Sequence, residues 1–312
     1  MARERRNNLT GFTILAKQPS NPAMPTLEQL KVKHPEIRPD FTIDQHWERY
    51  GAAEHSVWRT LYERQAEVLP GRACEEFLDG LKRLDLVPDR IPEFARASDR
   101  LEQLTGWRVV AVPSLVPDEI FFDHLANRRF PVGQFIRKPE ELDYIEEPDV
   151  FHDFFGHVPM LAHPVFADYM EAYGKGGQRA LNEFHALKNL ARLYWYTVEF
   201  GLIEKPEGLR IYGSGIVSSR AESIYAVESP SPNRIHFDLE RVMRTDYRID
   251  DFQDSYFVIG SFDELFAETY KDFAALYRKL SKGPEYKPGD VLATDRVHHK
   301  GTHSYVGGSH KS

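Results

Sequence analysis

Residues 148–159 read Pro-Asp-Val-Phe-His-Asp-Phe-Phe-Gly-His-Val-Pro. Two histidines, His152 and His157, stand five residues apart among aromatic side chains. A carboxylate, Glu199, lies downstream in Tyr-Trp-Tyr-Thr-Val-Glu-Phe-Gly, residues 194–201. Two imidazoles and one carboxylate form the ligand set of the facial triad that holds non-heme Fe(II) and leaves positions open. On an ideal α-helix, with 100° per residue, a five-residue spacing sets the two imidazoles about 140° apart. If both bind one metal, the helix must end or bend between them, and Gly156 and Pro159 supply the reason.

The chain has thirteen histidines, so a pair at this spacing also arises by chance. Three features favour a metal. Phe151, Phe154, Phe155 and Val158 bury the segment, and buried imidazoles need partners. Asp149 and Asp153 are close enough to accept from ring N–H groups. Glu199 sits among aromatics, where an unpaired carboxylate is costly.

Outward from this stretch, the apolar periodicity is mostly helical. Helices are expected over 42–68, opened by a Thr42–Gln45 capping box, and over 72–84, 92–104 and 117–128. A helix over 164–173 is expected to stop at Gly174, Gly176 and Gly177. The strongest pattern, 178–200, predicts one helix that carries Glu199 near its end. Another follows Ser261 and runs to about 280. Short strands are expected at 107–112, 209–212 and 255–259, with a turn at 213–215. The reading is a mostly α domain with minor short β elements. It has a loosely ordered arm over 1–40, a catalytic domain over 41–282 and a disordered tail over 283–312.

The 312 residues are 41% hydrophobic and 28% charged, an ordinary globular balance. A net charge of −8 argues against nucleic acid as a partner. No apolar run reaches membrane-spanning length. The single cysteine, Cys74, excludes an intramolecular disulfide and suits a reducing, cytoplasmic setting. It falls in line with Phe77, Leu78 and Leu81, as a packed side chain does.

Together, the 148–159 and 194–201 motifs resemble those of the pterin-dependent aromatic amino acid hydroxylases. Gly133-Gln-Phe-Ile-Arg137 and Tyr212-Gly-Ser-Gly-Ile-Val-Ser-Ser219 resemble the family's flanking segments. The resemblance covers about 105–280. It implies a single catalytic domain using Fe(II), O2 and a tetrahydropterin to hydroxylate L-phenylalanine to L-tyrosine. Tryptophan or tyrosine as substrate is the alternative within the family, and a zinc hydrolase is the alternative outside it.

By the same resemblance, His152, His157 and Glu199 hold the iron. Arg137 pairs with the substrate carboxylate, while Trp195 and Phe200 line the amino acid pocket. Ser218 supports the iron site, and Phe121 stacks on the pterin. Asp153 replaces the glutamate of animal members, so its reach to water or pterin differs. The alternative for Arg137 is a surface salt bridge with Glu140 or Glu141. The tail histidines His298, His299, His303 and His310 are expected to be solvated. No leucine-rich tetramerisation helix is visible, so a monomer is expected.

Overall fold

The computed structural model describes residues 26–143, 145, 147–249 and 251–305. Among them, twelve α-helices outweigh seven strands of three to five residues. The mostly α reading therefore holds.

The first helices are α1 (Leu27–Lys33), α2 (Ala52–Val68), α3 (Glu75–Arg83) and α4 (Phe94–Thr105). A two-stranded parallel pair follows, β1 (Arg108–Val112) with β2 (Arg129–Gly133), linked by α5 (Asp118–Ala126). Helix α4 ends on Gly106 with φ of 76°, a left-handed conformation suited to glycine.

The second sheet has five strands in the order β4 (Gly208–Ile211), β3 (Leu202–Lys205), β6 (Ser255–Ile259), β5 (Asn233–His236) and β7 (Val297–His299). Central β6 is buried at all five residues. It pairs in parallel with β3 and β5, as a two-sided buried strand does. One apolar core runs from Leu30 to Leu280. Cys74 is buried within it, and burial pushes its thiol up to about 12.

Several segments depart from the expectation. No helix starts at Thr42. Its hydroxyl donates to Asp40 at 2.7 Å, and the amide of Gln45 bonds Pro92 O and Phe94 N at 2.8 Å each. With the supposed cap engaged elsewhere, α2 begins after Gly51, whose N–H donates to Glu54 at 2.7 Å.

The glycines at 174–177 do not stop α6, which spans Pro164–Arg179. A Cβ at Gly174 would lie 2.3 Å from Ala126 N, and one at Gly177 would lie 2.0 Å from Phe122 Cδ1. They are glycine because α5 packs against them.

The long helix over 178–200 is broken. A π-turn spans Ala180–Phe184, His185 is left-handed at φ 51°, and α7 restarts at Leu187–Tyr194. The 262–280 helix divides into α11 (Phe262–Thr269) and α12 (Phe273–Leu280), the latter capped by Asp272. Residues 213–215 open α8 (Ser214–Val217) rather than form a turn; α9 (Arg220–Glu228) and α10 (Leu239–Met243) follow.

The expected disordered tail is structured over 283–305. β7 pairs with β5, Arg241 Nε donates to Asp295 at 2.9 Å, and Tyr305 OH donates to Asp251 at 2.9 Å. The expected loose arm contains α1 and the buried Leu30 and Ile37. Residues 1–25 and 306–312, with His310, lie outside the described residues. Among the described residues, no helix is long and apolar enough to cross a membrane.

Candidate active site

The histidine segment is pinned by its phenylalanines. Phe151 stacks on Phe155 at 4.7 Å and meets Trp58 edge-on at 5.3 Å; Phe154 stacks on Phe94 at 5.5 Å. Residues Phe151–His157 form a π-helix. Its i→i+5 hydrogen bonding brings residues five apart onto one face, as i→i+4 bonding does for an α-helix. The 140° problem therefore disappears. His152 and His157 meet edge-to-face with ring centroids 5.2 Å apart. Neither Gly156 nor Pro159 ends the turn between them. Gly156 instead admits α8: a Cβ there would lie 2.9 Å from Ser214 O.

Glu199 ends a second π-helix, Trp195–Glu199, closed by Phe200 N–H donating to Trp195 O at 2.8 Å. It is 1% exposed. Its Oε1 lies 3.2 Å from His157 Nε2, and its Oε2 lies 3.7 Å from His152 Nε2. One ligand atom from each of the three residues falls within 4.8 Å of the others. His152 Nε2 and Glu199 Oε1 are buried with no hydrogen-bond partner among the described residues. That is the environment a cation would complete, so the residues fit a metal.

Protonation favours ligation. Burial pushes His152 down to about 4, keeping its imidazole neutral. Burial pushes Glu199 up, but the two imidazoles and Ser214 outweigh it, and the carboxyl ends below its ordinary value. Ser218 Oγ donates to Ser214 O at 2.7 Å, which engages its proton. It must then accept from His152 Nδ1–H, 3.0 Å away, which leaves the Nε2 lone pair facing Glu199.

The acidic neighbours do not accept from the histidine rings, contrary to expectation. Asp153 accepts from Gly133 N–H at 2.8 Å, and burial pushes its carboxyl up to about 7. Asp149 accepts from His152 backbone N–H at 3.0 Å. It also receives Arg137 through N at 2.9 Å, Nε at 2.8 Å and Nη2 at 2.9 Å. The partner of Arg137 is therefore Asp149, not Glu140 or Glu141. This fork leaves Nη1 as its third nitrogen. Burial pushes Asp149 up, but Arg137 outweighs it and the carboxyl stays below its ordinary value.

Trp195 and Phe200 are buried with ring centroids 4.8 Å apart. Trp195 stacks on Tyr247 at 4.3 Å and donates through Nε1 to Gln253 at 2.9 Å. A cleft of about 500 Å³ is lined by Leu115, Asp118, Phe121, Gly133 and Asp153. Phe121 and Asp153 thus share one cleft, beside His152. Among the tail histidines, His298 lies 4.0 Å from Glu204, in a separate part of the fold.

Sequence reasoning missed two residues here, Ser214 and Gln253, and the partner of a third, Asp149. Ser214 Oγ donates to Glu199 Oε2 at 2.9 Å; its spacing of four from Ser218 was visible only as a motif. Asp149 as the partner of Arg137, and Gln253 as the partner of Trp195, carry no local signal.

Residues 41–288 match the family of biopterin-dependent aromatic amino acid hydroxylases. This chain belongs to that family. The hydroxylase is 64% identical to the phenylalanine-4-hydroxylase of Caulobacter vibrioides over 87% of this chain and 92% of the relative. It is 34% identical to the chloroplastic phenylalanine 4-monooxygenase of Pinus taeda over 69% of this chain and 60% of that one. A crystal structure of the Chromobacterium violaceum phenylalanine hydroxylase with bound oxidised Fe(III) superposes with a TM-score of 0.83. It is 56% identical and covers 88% of this chain and 100% of its own. Another crystal structure of that enzyme, with iron and phenylalanine bound, superposes with a TM-score of 0.82 at 55% identity, over 88% of this chain and 100% of that one. The zinc hydrolase reading is set aside: the hydroxylase shares family, fold and pterin dependence with these proteins.

Proposed function

We propose that this hydroxylase converts L-phenylalanine to L-tyrosine with O2 and a tetrahydropterin, at an Fe(II) held by His152, His157 and Glu199. The observation that carries the reading is the convergence of those three side chains, with His152 Nε2 and Glu199 Oε1 buried and unsatisfied. Its relatives from Caulobacter vibrioides and Chromobacterium violaceum are both named phenylalanine-4-hydroxylase. When bound, Fe(II) and the reduced pterin would supply the electrons that activate O2, the oxidant that an inert aromatic C–H requires.

The chain's own residues do the rest. Asp149 aims the Arg137 guanidinium, and its remaining N–H groups receive the substrate carboxylate in fork geometry. Trp195 and Phe200 form the wall for the aromatic ring. Phe121 would hold the pterin in the cleft it shares with Asp153. Ser218 fixes the tautomer of His152. The buried aromatic surroundings exclude water from the reacting groups. The enzyme acts as a monomer in the cytoplasm, on small molecules alone.

The test is turnover by metal-stripped protein. Fe(II) and Zn(II) are added back separately with tetrahydropterin, O2 and L-phenylalanine, and tyrosine is detected by mass. Tyrosine is expected only with Fe(II) and pterin together. Preferred turnover of L-tryptophan or L-tyrosine would move the assignment within the family, and product with zinc alone would overturn the iron reading.

A further inference from the structure

Glu199 is held differently at its two oxygens. Oε2 accepts from Ser214 Oγ at 2.9 Å, while Oε1 has no hydrogen-bond partner among the described residues and lies 3.2 Å from His157 Nε2. A carboxylate can offer a metal one oxygen or both. Here Oε2 is engaged by a hydroxyl and lies 3.7 Å from His152 Nε2, while Oε1 is left bare beside His157.

Ser214 is itself fixed. It is 1% exposed, and its Oγ also lies 3.1 Å from Val198 O, one residue before the ligand. Its carbonyl accepts from Ser218 Oγ at 2.7 Å, the same hydroxyl that meets His152 Nδ1 at 3.0 Å. A Cβ at Gly156, in the π-helix of the histidines, would lie 3.2 Å from Ser214 Cβ. One helical turn therefore grips Glu199 through Ser214 and His152 through Ser218, and presses on the backbone just before His157.

We propose that Ser214 is a positioning residue that holds the Glu199 carboxylate toward the two imidazoles. Engaging Oε2 stops the carboxylate from turning away from the imidazoles in its buried site. The inference rests on the metal reading given above.

The test is metal binding by full-length protein, independent of turnover. The metal-free Ser214→Ala and Ser214→Thr variants are titrated with Fe(II) under anaerobic conditions against a competing chelator. Each is also loaded with Co(II) for visible absorption spectroscopy. The alanine variant keeps Cβ and removes only the hydroxyl. It is expected to bind Fe(II) roughly 10–100-fold more weakly and to show a shifted Co(II) band. The threonine variant keeps the hydroxyl and is expected to bind Fe(II) more tightly than the alanine variant.

A packing role predicts the opposite order, because the extra methyl of threonine meets the tight approach to Gly156. An alanine variant with wild-type affinity and spectrum overturns the inference, as does threonine weaker than alanine. Wild-type protein that binds neither metal, or binds it equally after His152→Ala, overturns the metal reading itself. If the alanine variant does not fold, threonine is compared with wild type: retained Fe(II) affinity and Co(II) band support the hydroxyl role, and loss of both overturns it.

Discussion

Replacing Asp149 with alanine tests the buried charge network that supports both the substrate side and the metal side. Asp149 is 0% exposed and Arg137 is 7% exposed, so neither charge is solvated. The carboxylate accepts four hydrogen bonds, three from Arg137 and one from the backbone of His152. Removing one partner of a buried pair strands the other, at about 3–5 kcal/mol. For a domain of this size, each 1 kcal/mol shifts Tm by about 2–4 °C, so a fall on the order of 10 °C is expected. The assay is thermal unfolding of metal-free protein by circular dichroism, with KM for L-phenylalanine measured on the loaded enzyme. Asp149→Ala is expected to raise KM because it releases the fork, and Arg137→Ala is expected to raise it through loss of the clamp. The double variant should lose less stability than the two single losses added, because no charge is then left stranded. Additive losses, or a loss under about 1 kcal/mol for Asp149→Ala, would refute a coupled buried pair.

Glu199→Ala and His152→Ala are each expected to abolish Fe(II) binding while keeping the far-ultraviolet circular dichroism; metal analysis showing full occupancy in either would remove that residue from the ligand set. Glu222 is buried, accepts from Tyr256 OH at 2.6 Å, and is pushed up to about 7 by burial. Between about pH 4.5 and 7 the folded state then holds a proton that the unfolded state has lost, so stability falls as pH rises. The loss should total roughly 3 kcal/mol once the pH is above both values. Asp153 and His152 titrate over the same range, so the readout is a difference: the urea midpoint of wild type relative to Glu222→Gln should decline across it. Gly177→Ala places a methyl 2.0 Å from Phe122 Cδ1 and should lower stability by about 1–3 kcal/mol, read from the urea midpoint.

Much of the site was legible because its signals are local. The phenylalanines around His152 and His157 mark a buried segment, and the periodicity ending at Glu199 marks a helix that delivers a carboxylate to the interior. The apolar run 255–259 was readable as a strand because both faces of β6 are covered. Gly174 and Gly177 misled because a small residue that stops a helix and one that admits a neighbouring helix look alike until the neighbour, α5, is placed. The tail misled for a related reason. Its polar composition cannot show that β5 offers 297–299 an open edge.

What the sequence determined by itself was the chemistry available: two imidazoles, a carboxylate, a guanidinium and an aromatic enclosure, in motifs specific to one family. What only the tertiary structure decided was how those groups face one another. The five-residue histidine spacing becomes a single face only in a π-helix, whose hydrogen-bond register is not encoded in apolar periodicity. The pairing of Arg137 with Asp149 and of Ser214 with Glu199 depends on burial, which removes water as the competing partner. Composition can name the groups that must be satisfied inside a protein, but the folded backbone selects which of them meet.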